Sequence, residues 1–362
     1  MGTWTRLSGP PTPGTEHRFG ASGLAVALTV GLTYDLRKDY LALGFSEDAV
    51  AEFDSEETIN AIHDAIGSLG YRTDRIGNAW ALARRLVAGD RWDLVFNFAE
   101  GVRGRSREAQ VPCLLELYEV GYTFSDPLVC AVTLDKAVAK RLVQSAGLQT
   151  AKFHVVSDLA DTAGLALEYP LFAKPLAEGT GKGISERSRI DTPEQLAGAC
   201  DALLRKFDQP VLVEEFLPGR EFTVGVLGTG RQARVLGTLE IEILASPSGG
   251  IYSYQTKEQC KRLVRYSAAP AGEIRQSVEA LALGAYRALE CRDGARADLR
   301  LDRHGVPTFM EINPLPGLHP THSDLPMIAT QEGMSYPELI GAIIDSARTR
   351  LKPYRVGTTH EA

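Results

Sequence analysis

One segment near the C-terminus constrains the fold more than any other. Residues 295–313, ARADLRLDRHGVPTFMEIN, alternate apolar and polar side chains on both sides of a Gly-containing turn. This pattern predicts two antiparallel strands joined as a hairpin. Residues two apart share a strand face, so Arg296 and Asp298 project together from the first strand, and Glu311 and Asn313 from the second. The segment therefore predicts a hairpin with a polar face.

The residue types on that face indicate a metal site. Two carboxylates and an amide oxygen are hard ligands, suited to Mg²⁺ that is also held by substrate phosphates. If the two strand faces coincide, we expect Asp298, Glu311 and Asn313 to bind the metal. The alternative is a solvated hairpin with ordinary surface charges, because short acidic patterns often occur by chance.

The N-terminal part of the chain predicts an α/β lobe. The apolar run Leu24–Val30 predicts a buried strand, and Trp92–Phe98 predicts a second. Between them, apolar residues recur at helical spacing after Asp54 or Ser55, either of which can cap a helix that ends before Gly70. The order strand, helix, strand indicates a parallel sheet.

From about Asp135 the pattern changes to short strands with Gly-containing turns, which predicts a domain boundary. We expect helices over Lys136–Ser145 and Tyr336–Arg348, and a long polar loop over residues 245–262 that acts as a lid or is disordered. Short strands are predicted at 172–174, 211–214 and 221–227. The expected organisation is a mobile tail (1–23), an N-terminal α/β lobe (24–134), a central lobe (135–215), a C-terminal lobe (216–350) and a second tail (351–362).

Two further segments are typical of nucleotide binding. Lys174 closes a strand and precedes PLAEGTGKGIS, whose glycines let backbone N–H groups turn toward an anion. In VLVEEFLPGREFTV, an apolar linker between Glu214 and Glu221 suits a nucleotide base, with a carboxylate for the ribose hydroxyls. The alternatives are an ordinary flexible turn and a β-hairpin with surface acids, since each pattern is weak by itself.

Composition excludes several classes of protein. The chain has 362 residues, of which 44% are hydrophobic and 23% charged, as in globular proteins of two or three lobes. A net charge of −7 argues against nucleic-acid binding. No apolar run approaches the roughly 20 residues of a membrane helix. The five scattered cysteines form no CxxC pair, which favours a cytoplasmic location.

Taken in order, these motifs resemble the ATP-grasp family, and more narrowly the D-alanine–D-alanine ligases. The resemblance covers residues 24–348 and rests on TLDKAVAKRLVQSAGL, FAKPLAEGTGKG, VLVEEFLPGREFTV and the segment from the hairpin to HSDLPM. It implies an α/β (α+β) fold, in which two antiparallel-sheet lobes grip ATP below a parallel N-terminal lobe. It also implies Mg²⁺ as cofactor, with two ions and Mn²⁺ as a substitute, and a homodimer.

The resemblance also implies roles for individual residues. Arg296, Lys257 and Lys174 would be catalytic, with Arg296 stabilising the oxyanion of a tetrahedral intermediate. ATP would contact Lys136, Lys174, Glu178, Gly179, Thr180, Gly183, Glu214, Glu215, Phe216, Leu217, Glu221 and Lys257. The substrates would contact Glu100, Arg105, Gln110, Tyr254, Arg296, Gly317, His319 and Ser323.

The substrate region departs from the family pattern. The family's loop HGxxGEDGxxQ is AEGVRGRSREAQ here, with Glu100 in place of His and basic residues in place of the acidic stretch, although Gln110 is retained. We expect Glu100 to meet an ammonium, and Arg103, Arg105 or Arg107 to meet an extra carboxylate. The alternative is an exposed basic loop without contacts.

The resulting hypothesis is an ATP-dependent ligase that joins a carboxylate to an amine through an acyl phosphate and releases ADP and phosphate. Its small-molecule substrates would be amino acids other than two D-alanines. The alternatives are a genuine D-alanine–D-alanine ligase, an ATP-grasp enzyme of specialised metabolism with a non-amino-acid acceptor, and a non-catalytic ATP-binding protein.

Overall fold

The computed structural model describes residues 27–243 and 264–351. The predictions for the tail 1–23, for the loop 245–262 with Tyr254 and Lys257, and for residues after Leu351 lie outside the described residues. Within the described part, no helix has the length and apolar character needed to cross a membrane.

The N-terminal sheet is parallel, as predicted, with the strand order β2-β1-β3. Its strands are β1 (Thr29–Tyr34), β2 (Arg72–Gly77) and β3 (Leu94–Phe98). The helices around it are α1 (Arg37–Ala42), α2 (Glu56–Ser68) and α3 (Ala79–Val87). The Ser55 side chain accepts a hydrogen bond from the Thr58 N–H and caps α2, which confirms that predicted helix.

The predicted bounds of the first strand were wrong. The apolar run suggested Leu24–Val30, but the strand begins at Thr29 and ends at Tyr34. The polar Thr33 is fully buried, because its hydroxyl donates to Asn97 Oδ1 of β3 at 2.9 Å. A buried polar pair of this kind carries no hydrophobic signal, so the strand extends beyond the apolar run.

The central sheet is antiparallel, in the order β4-β7-β5-β6. Its strands are β4 (Phe153–Val156), β5 (Leu171–Pro175), β6 (Arg189–Ile190) and β7 (Val211–Glu215). The neighbouring helices are α4 (Gln110–Leu117), α5 (Pro127–Leu134), α6 (Lys136–Ser145) and α7 (Pro193–Phe207). Helix α6 has the predicted bounds, and the Asp135 side chain caps it.

The C-terminal sheet is also antiparallel, in the order β10-β9-β8-β11-β12. Its strands are β8 (Glu221–Leu227), β9 (Arg234–Ile243), β10 (Val264–Ala268), β11 (Gly294–Leu301) and β12 (Pro307–Asn313). The helices that follow are α8 (Glu273–Ala288), α9 (Asp324–Gln331) and α10 (Tyr336–Arg348). The hairpin β11–β12 and helix α10 confirm two of the predictions.

The largest hydrophobic cluster joins the two ends of the chain. It contains Leu32 and Phe96 of the parallel sheet together with Leu325 of α9 and Ile340 and Ile343 of α10, all fully buried. Burial of this apolar surface packs the N-terminal lobe against the C-terminal helices. The loops that follow β1 and β3 are thereby brought to the end of the hairpin β11–β12.

Candidate functional site

The hairpin brings its four polar residues onto one face. Arg296 lies opposite Asn313 in the ladder, and Asp298 lies opposite Glu311. Residues directly opposite each other in an antiparallel pair project on the same side of the sheet. The two strand faces therefore coincide, and we call these four residues the hairpin face.

Acids hold Arg296 on both branches of its guanidinium group. It donates from Nη2 to Asp298 at 2.9 Å and from Nη1 to Asp324 at 3.1 Å. Burial disfavours the charge, but the two carboxylates outweigh it and raise the pKa of Arg296. Its Nε is buried and has no hydrogen-bond partner among the described residues. Of its three nitrogens, Nε is thus the one without a partner among the described residues, and its N–H can donate to an oxygen anion.

The oxygens of the hairpin face fit a hard cation. Burial would raise the pKa of Glu311, but Lys136 and other cations outweigh it and hold this pKa at about 2. In the described part of the chain, no three His, Cys, Asp or Glu side chains are grouped to hold a metal. A cation here would therefore combine Asp298, Glu311 and Asn313 with phosphate oxygens or water, as Mg²⁺ commonly does.

A buried ion cluster lies at the end of the central sheet. Glu214 is 2.7 Å from Lys140 and 2.8 Å from Lys174, and none of the three side chains is more than 6% exposed. Burial would raise the pKa of Glu214, but the two lysines outweigh it and hold it at about 2. We call these three residues the lysine cluster.

Lys136 connects the Gly-rich loop to the hairpin face. Its Nζ donates to the Glu178 carbonyl and lies 3.5 Å from Glu311 Oε2. In the loop, Thr180, Gly181 and Gly183 have positive φ angles of 53°, 71° and 76°. Glycine adopts this conformation without strain, so the loop can turn its N–H groups toward an anion.

The N-terminal lobe holds the same loop from the other side. Glu52 accepts a hydrogen bond from the Gly179 N–H at 2.6 Å, and a Cβ at position 179 would lie only 2.5 Å from the Glu52 carboxylate. Arg107 donates to the Ala177 carbonyl at 2.9 Å and to Glu52 at 3.0 Å. These contacts attach the Gly-rich loop of the central lobe to the N-terminal lobe.

Two further carboxylates of the N-terminal lobe lie near these contacts and face a cavity that Arg296, Glu311 and Asn313 of the hairpin face also line. Glu100 follows β3, and Glu108 lies in a short 3₁₀ turn before α4. Glu108 is 7% exposed, and its Oε2 has no hydrogen-bond partner among the described residues. Burial, opposed by Arg107, raises the pKa of Glu108 to about 7. We call Glu100 and Glu108 the acidic end.

The linker between β7 and β8 lies outside this cavity. Leu217 is buried, and the ring of Phe216 lies 5.4 Å from the Arg300 guanidinium. The Glu221 carboxylate is 3.6 Å from the same Arg300, whereas Glu215 is 3.6 Å from Lys152. The linker thus presents apolar and acidic groups side by side, the combination predicted for an adenosine site.

One cavity brings many of the predicted site residues together. They come from all three lobes and include Glu100 of the acidic end and three residues of the hairpin face, whereas Asp298 does not line the cavity. Those lining it are Glu100, Lys136, Glu178, Gly179, Thr180, Arg296, Glu311, Asn313, Gly317 and Ser323.

Other predicted substrate residues do not line this cavity. Arg105 is exposed and pairs with Asp135, and Gln110 donates to the Arg103 carbonyl at 3.0 Å. Arg107, a second candidate for an extra carboxylate, is already paired with Glu52. His319 packs against His322, and it is His322 that reaches the cavity.

The sequence analysis did not predict four residues of the site. Lys140 had a detectable signal, since it follows Lys136 by four residues and so shares its helix face. Asp324 directly follows the predicted Ser323, but its pairing with Arg296 depends on the fold. Glu52 and Glu108 had no sequence signal. The partner of Glu52, Gly179, is distant in sequence, and Glu108 Oε2 has no hydrogen-bond partner among the described residues.

Sequence comparison gives concordant matches. A family profile described as the D-ala D-ala ligase C-terminus matches residues 142–345. A D-alanine–D-alanine ligase of Bordetella petrii is 35% identical over 294 residues, which cover 80% of this chain and 86% of that protein. An uncharacterised protein, y4sG of Sinorhizobium fredii, is 34% identical over 264 residues, or 71% of this chain and 75% of that protein.

Solved structures show the same fold. The D-alanine–D-alanine ligase of Bacillus anthracis complexed with ATP superimposes with a TM-score of 0.67 at 20% identity, covering 89% of this chain and 98% of that one. The VanG D-Ala:D-Ser ligase of Enterococcus faecalis gives 0.68 at 20% identity and covers 89% and 100%. The predicted ATP-grasp fold, with one parallel and two antiparallel sheets, is confirmed.

Proposed function

Because this chain belongs to the D-alanine–D-alanine ligase family, we propose that it joins two amino acids other than two D-alanines, activating the first as an acyl phosphate. Membership makes it an ATP-dependent C–N ligase that releases ADP. The observation that carries the proposal is one cavity lined by Arg296, Glu311 and Asn313 of the hairpin face, by Lys136 and by the Gly-rich loop. A carboxylate needs such a site, because it is a poor electrophile until one of its oxygens is phosphorylated.

Two lysines and the residues of the hairpin face support a role in phosphoryl transfer. Lys136 would contact ATP phosphates from the start of α6, and Lys174 would do so from the lysine cluster. Mg²⁺, held by Asp298, Glu311 and Asn313, would neutralise charge on the phosphates. The clamp of Glu52 and Arg107 on the Gly-rich loop would keep water away from the acyl phosphate.

Arg296 would serve the second step, in which the amine attacks the acyl phosphate. The carbonyl oxygen gains negative charge in the tetrahedral intermediate. The Nε of Arg296, which no described residue bonds, would supply a preorganised donor for it. Asp298 and Asp324 hold the guanidinium in place from its other two nitrogens. We assign the adenosine of ATP to the linker with Phe216 and Leu217, and its ribose to Glu221.

Two features favour substrates other than two D-alanines. Glu100 replaces the His of the family's loop, and the buried Glu108 adds a second carboxylate to the same cavity. The second candidate is a genuine D-alanine–D-alanine ligase, which the names of relatives such as the Bordetella avium protein, 37% identical over 246 residues, favour.

The test is incubation with ATP, Mg²⁺ and a panel of L- and D-amino acids, singly and in pairs. We expect ADP, phosphate and a condensed product in equal amounts. Efficient conversion of D-alanine alone would favour the second candidate. Release of AMP and pyrophosphate would contradict the acyl-phosphate mechanism.

The assembly and location are further parts of the proposal. We propose a homodimer, a common assembly for such enzymes, which light scattering of the purified protein tests. We also propose a cytoplasmic location, because the cysteines of the described residues are free thiols. Fractionation of cells that express the protein tests the location.

A further inference from the structure

The acidic end contains two carboxyl groups whose ionised forms the described residues around them do not balance. Glu100 and Glu108 both line the cavity, and Glu108 Oε2 is buried without a hydrogen-bond partner in the part of the chain that the structure describes. A buried carboxylate without a partner is costly, because it loses its hydration and gains nothing in return. A native fold that retains such a group at a ligand cavity points to a ligand that supplies the partner.

The basic groups around the acidic end are engaged elsewhere. Arg107 bonds to Glu52 and to the Ala177 carbonyl, and Lys136 bonds to the Glu178 carbonyl and approaches Glu311. The other groups acting on Glu100 include the carboxylates Glu52 and Asp54, which add negative charge. Burial and these neighbours raise the pKa of Glu100 above its ordinary value.

The two carboxyl groups of the acidic end indicate that the ligand carries more than one cationic group. An ordinary amino acid brings one ammonium, and its own carboxylate cancels that charge. A substrate with a second ammonium would supply one cation for each carboxylate of the acidic end. An ammonium has three donors and pairs readily with a buried carboxylate.

We propose that the acidic end binds a second positively charged nitrogen of the substrate, and that the substrate is a diamino carboxylic acid. This inference rests on the proposed function, because the carboxylate of the same molecule would be activated at the hairpin face. Glu100 and Glu108 are then specificity-determining residues.

Calorimetric titration tests the site without turnover. The protein is saturated with ADP and Mg²⁺ and titrated at pH 7 with ornithine and 2,4-diaminobutyrate. Norvaline and 2-aminobutyrate, which lack the side-chain ammonium, are their uncharged counterparts. Both enantiomers of each amino acid are used. We expect one diamino acid to bind about 10- to 100-fold more tightly than its uncharged counterpart. Binding should also release protons, measured in buffers of different ionisation enthalpy, because the ammonium favours the ionised carboxylates. Equal affinity for ornithine and norvaline, and for the shorter pair, would overturn the proposal.

Charge-removing variants locate the effect. Glu100→Gln and Glu108→Gln should each abolish most of the preference for the diamino acid and leave the affinity for its uncharged counterpart unchanged. Glu47→Gln, which removes an exposed carboxylate from the same lobe, is the matched control and should keep the preference. An unchanged preference in both cavity variants would overturn the assignment. The wild-type comparison stands even if a variant folds poorly.

Addition of ATP separates this inference from the proposed function. Tight binding of a diamino acid without ADP release with any amino acid would support the site and contradict the ligase activity. Condensation of uncharged amino acids, with no binding of diamino acids, would support the ligase and overturn the site.

Discussion

The lysine cluster and the acidic end are both buried groups of charge, yet they are balanced differently. Glu214 has two lysines within 2.8 Å, and its pKa is held at about 2. Glu108 has an oxygen with no hydrogen-bond partner within residues 27–243 and 264–351, and its pKa is raised to about 7. A matched cluster can hold its geometry without a ligand, whereas an unmatched one gains stability from binding. In the proposed function, the lysine cluster belongs to the part of the site that binds ATP, and the acidic end belongs to the part that selects the substrate.

The largest expected effect concerns the hairpin face. Glu311→Gln should lower kcat about 1,000-fold or more, since the carboxylate opposite Asp298 is proposed to hold the metal that neutralises the phosphates. ADP release with saturating substrates measures it. Glu242→Gln removes an exposed carboxylate of the same sheet and should leave kcat unchanged. Near wild-type turnover of Glu311→Gln would remove Glu311 from the metal site.

The next largest effect is the loss of stability that we expect when the lysine cluster loses its carboxylate. Glu214→Ala leaves Lys140 and Lys174 buried without their partner, and we expect a loss of about 3–5 kcal/mol in the free energy of unfolding. Urea denaturation at pH 7 measures it. The exposed pair of Lys38 and Glu56 is the control, and Glu56→Gln should not shift the urea midpoint. A loss as small as that of the control would mean that the lysine cluster is not a balanced unit.

The elements and residues that the sequence could predict are those set by local patterns, whereas those set by tertiary packing could not be predicted. The hairpin and helices α6 and α10 follow from local periodicity and caps, so their positions were predictable. Arg296 and Glu311 share a face by strand geometry alone. Glu108 shows its importance only through burial and an absent partner, and Glu52 only through a contact with Gly179, which lies 127 positions away. Properties set by tertiary packing leave no pattern in a single sequence.

The third effect is a pH dependence of opposite sign in the two regions. As the pH rises from about 4.5 to about 7, unfolded chains lose the Glu108 proton before the folded protein does, so this group lowers the stability of the fold over that interval. Glu108→Gln should therefore raise the free energy of unfolding by about 1–3 kcal/mol at pH 8 and leave it nearly unchanged at pH 4.5.

Glu214 behaves in the opposite way. Because its pKa is lowered to about 2, its contribution is complete above about pH 4.5 and is lost as the pH falls toward 2. Urea titrations of both variants across this range measure the two slopes. An equal gain in stability for Glu108→Gln at pH 4.5 and pH 8 would show that Glu108 is not held protonated by the fold.

The smallest expected effect is that of Arg105, an exposed neighbour of the acidic end. Its side chain is 72% exposed and pairs with Asp135, which keeps its capping bond to the Val138 N–H when Arg105 is removed. Exposed ion pairs contribute little, so Arg105→Ala should leave the KM for the amino acid substrates within about twofold of wild type.

Arg107→Ala, two residues further on, gives the matched contrast. It removes the bonds to Ala177 and Glu52 that hold the Gly-rich loop, so the KM for ATP should rise by about tenfold or more. Steady-state kinetics of both variants measure this difference between an exposed and a buried arginine of one segment. A tenfold change of the amino acid KM in Arg105→Ala would instead place substrate selection on the exposed loop. The Glu108 oxygen, which has no partner among the described residues, would then need a different explanation.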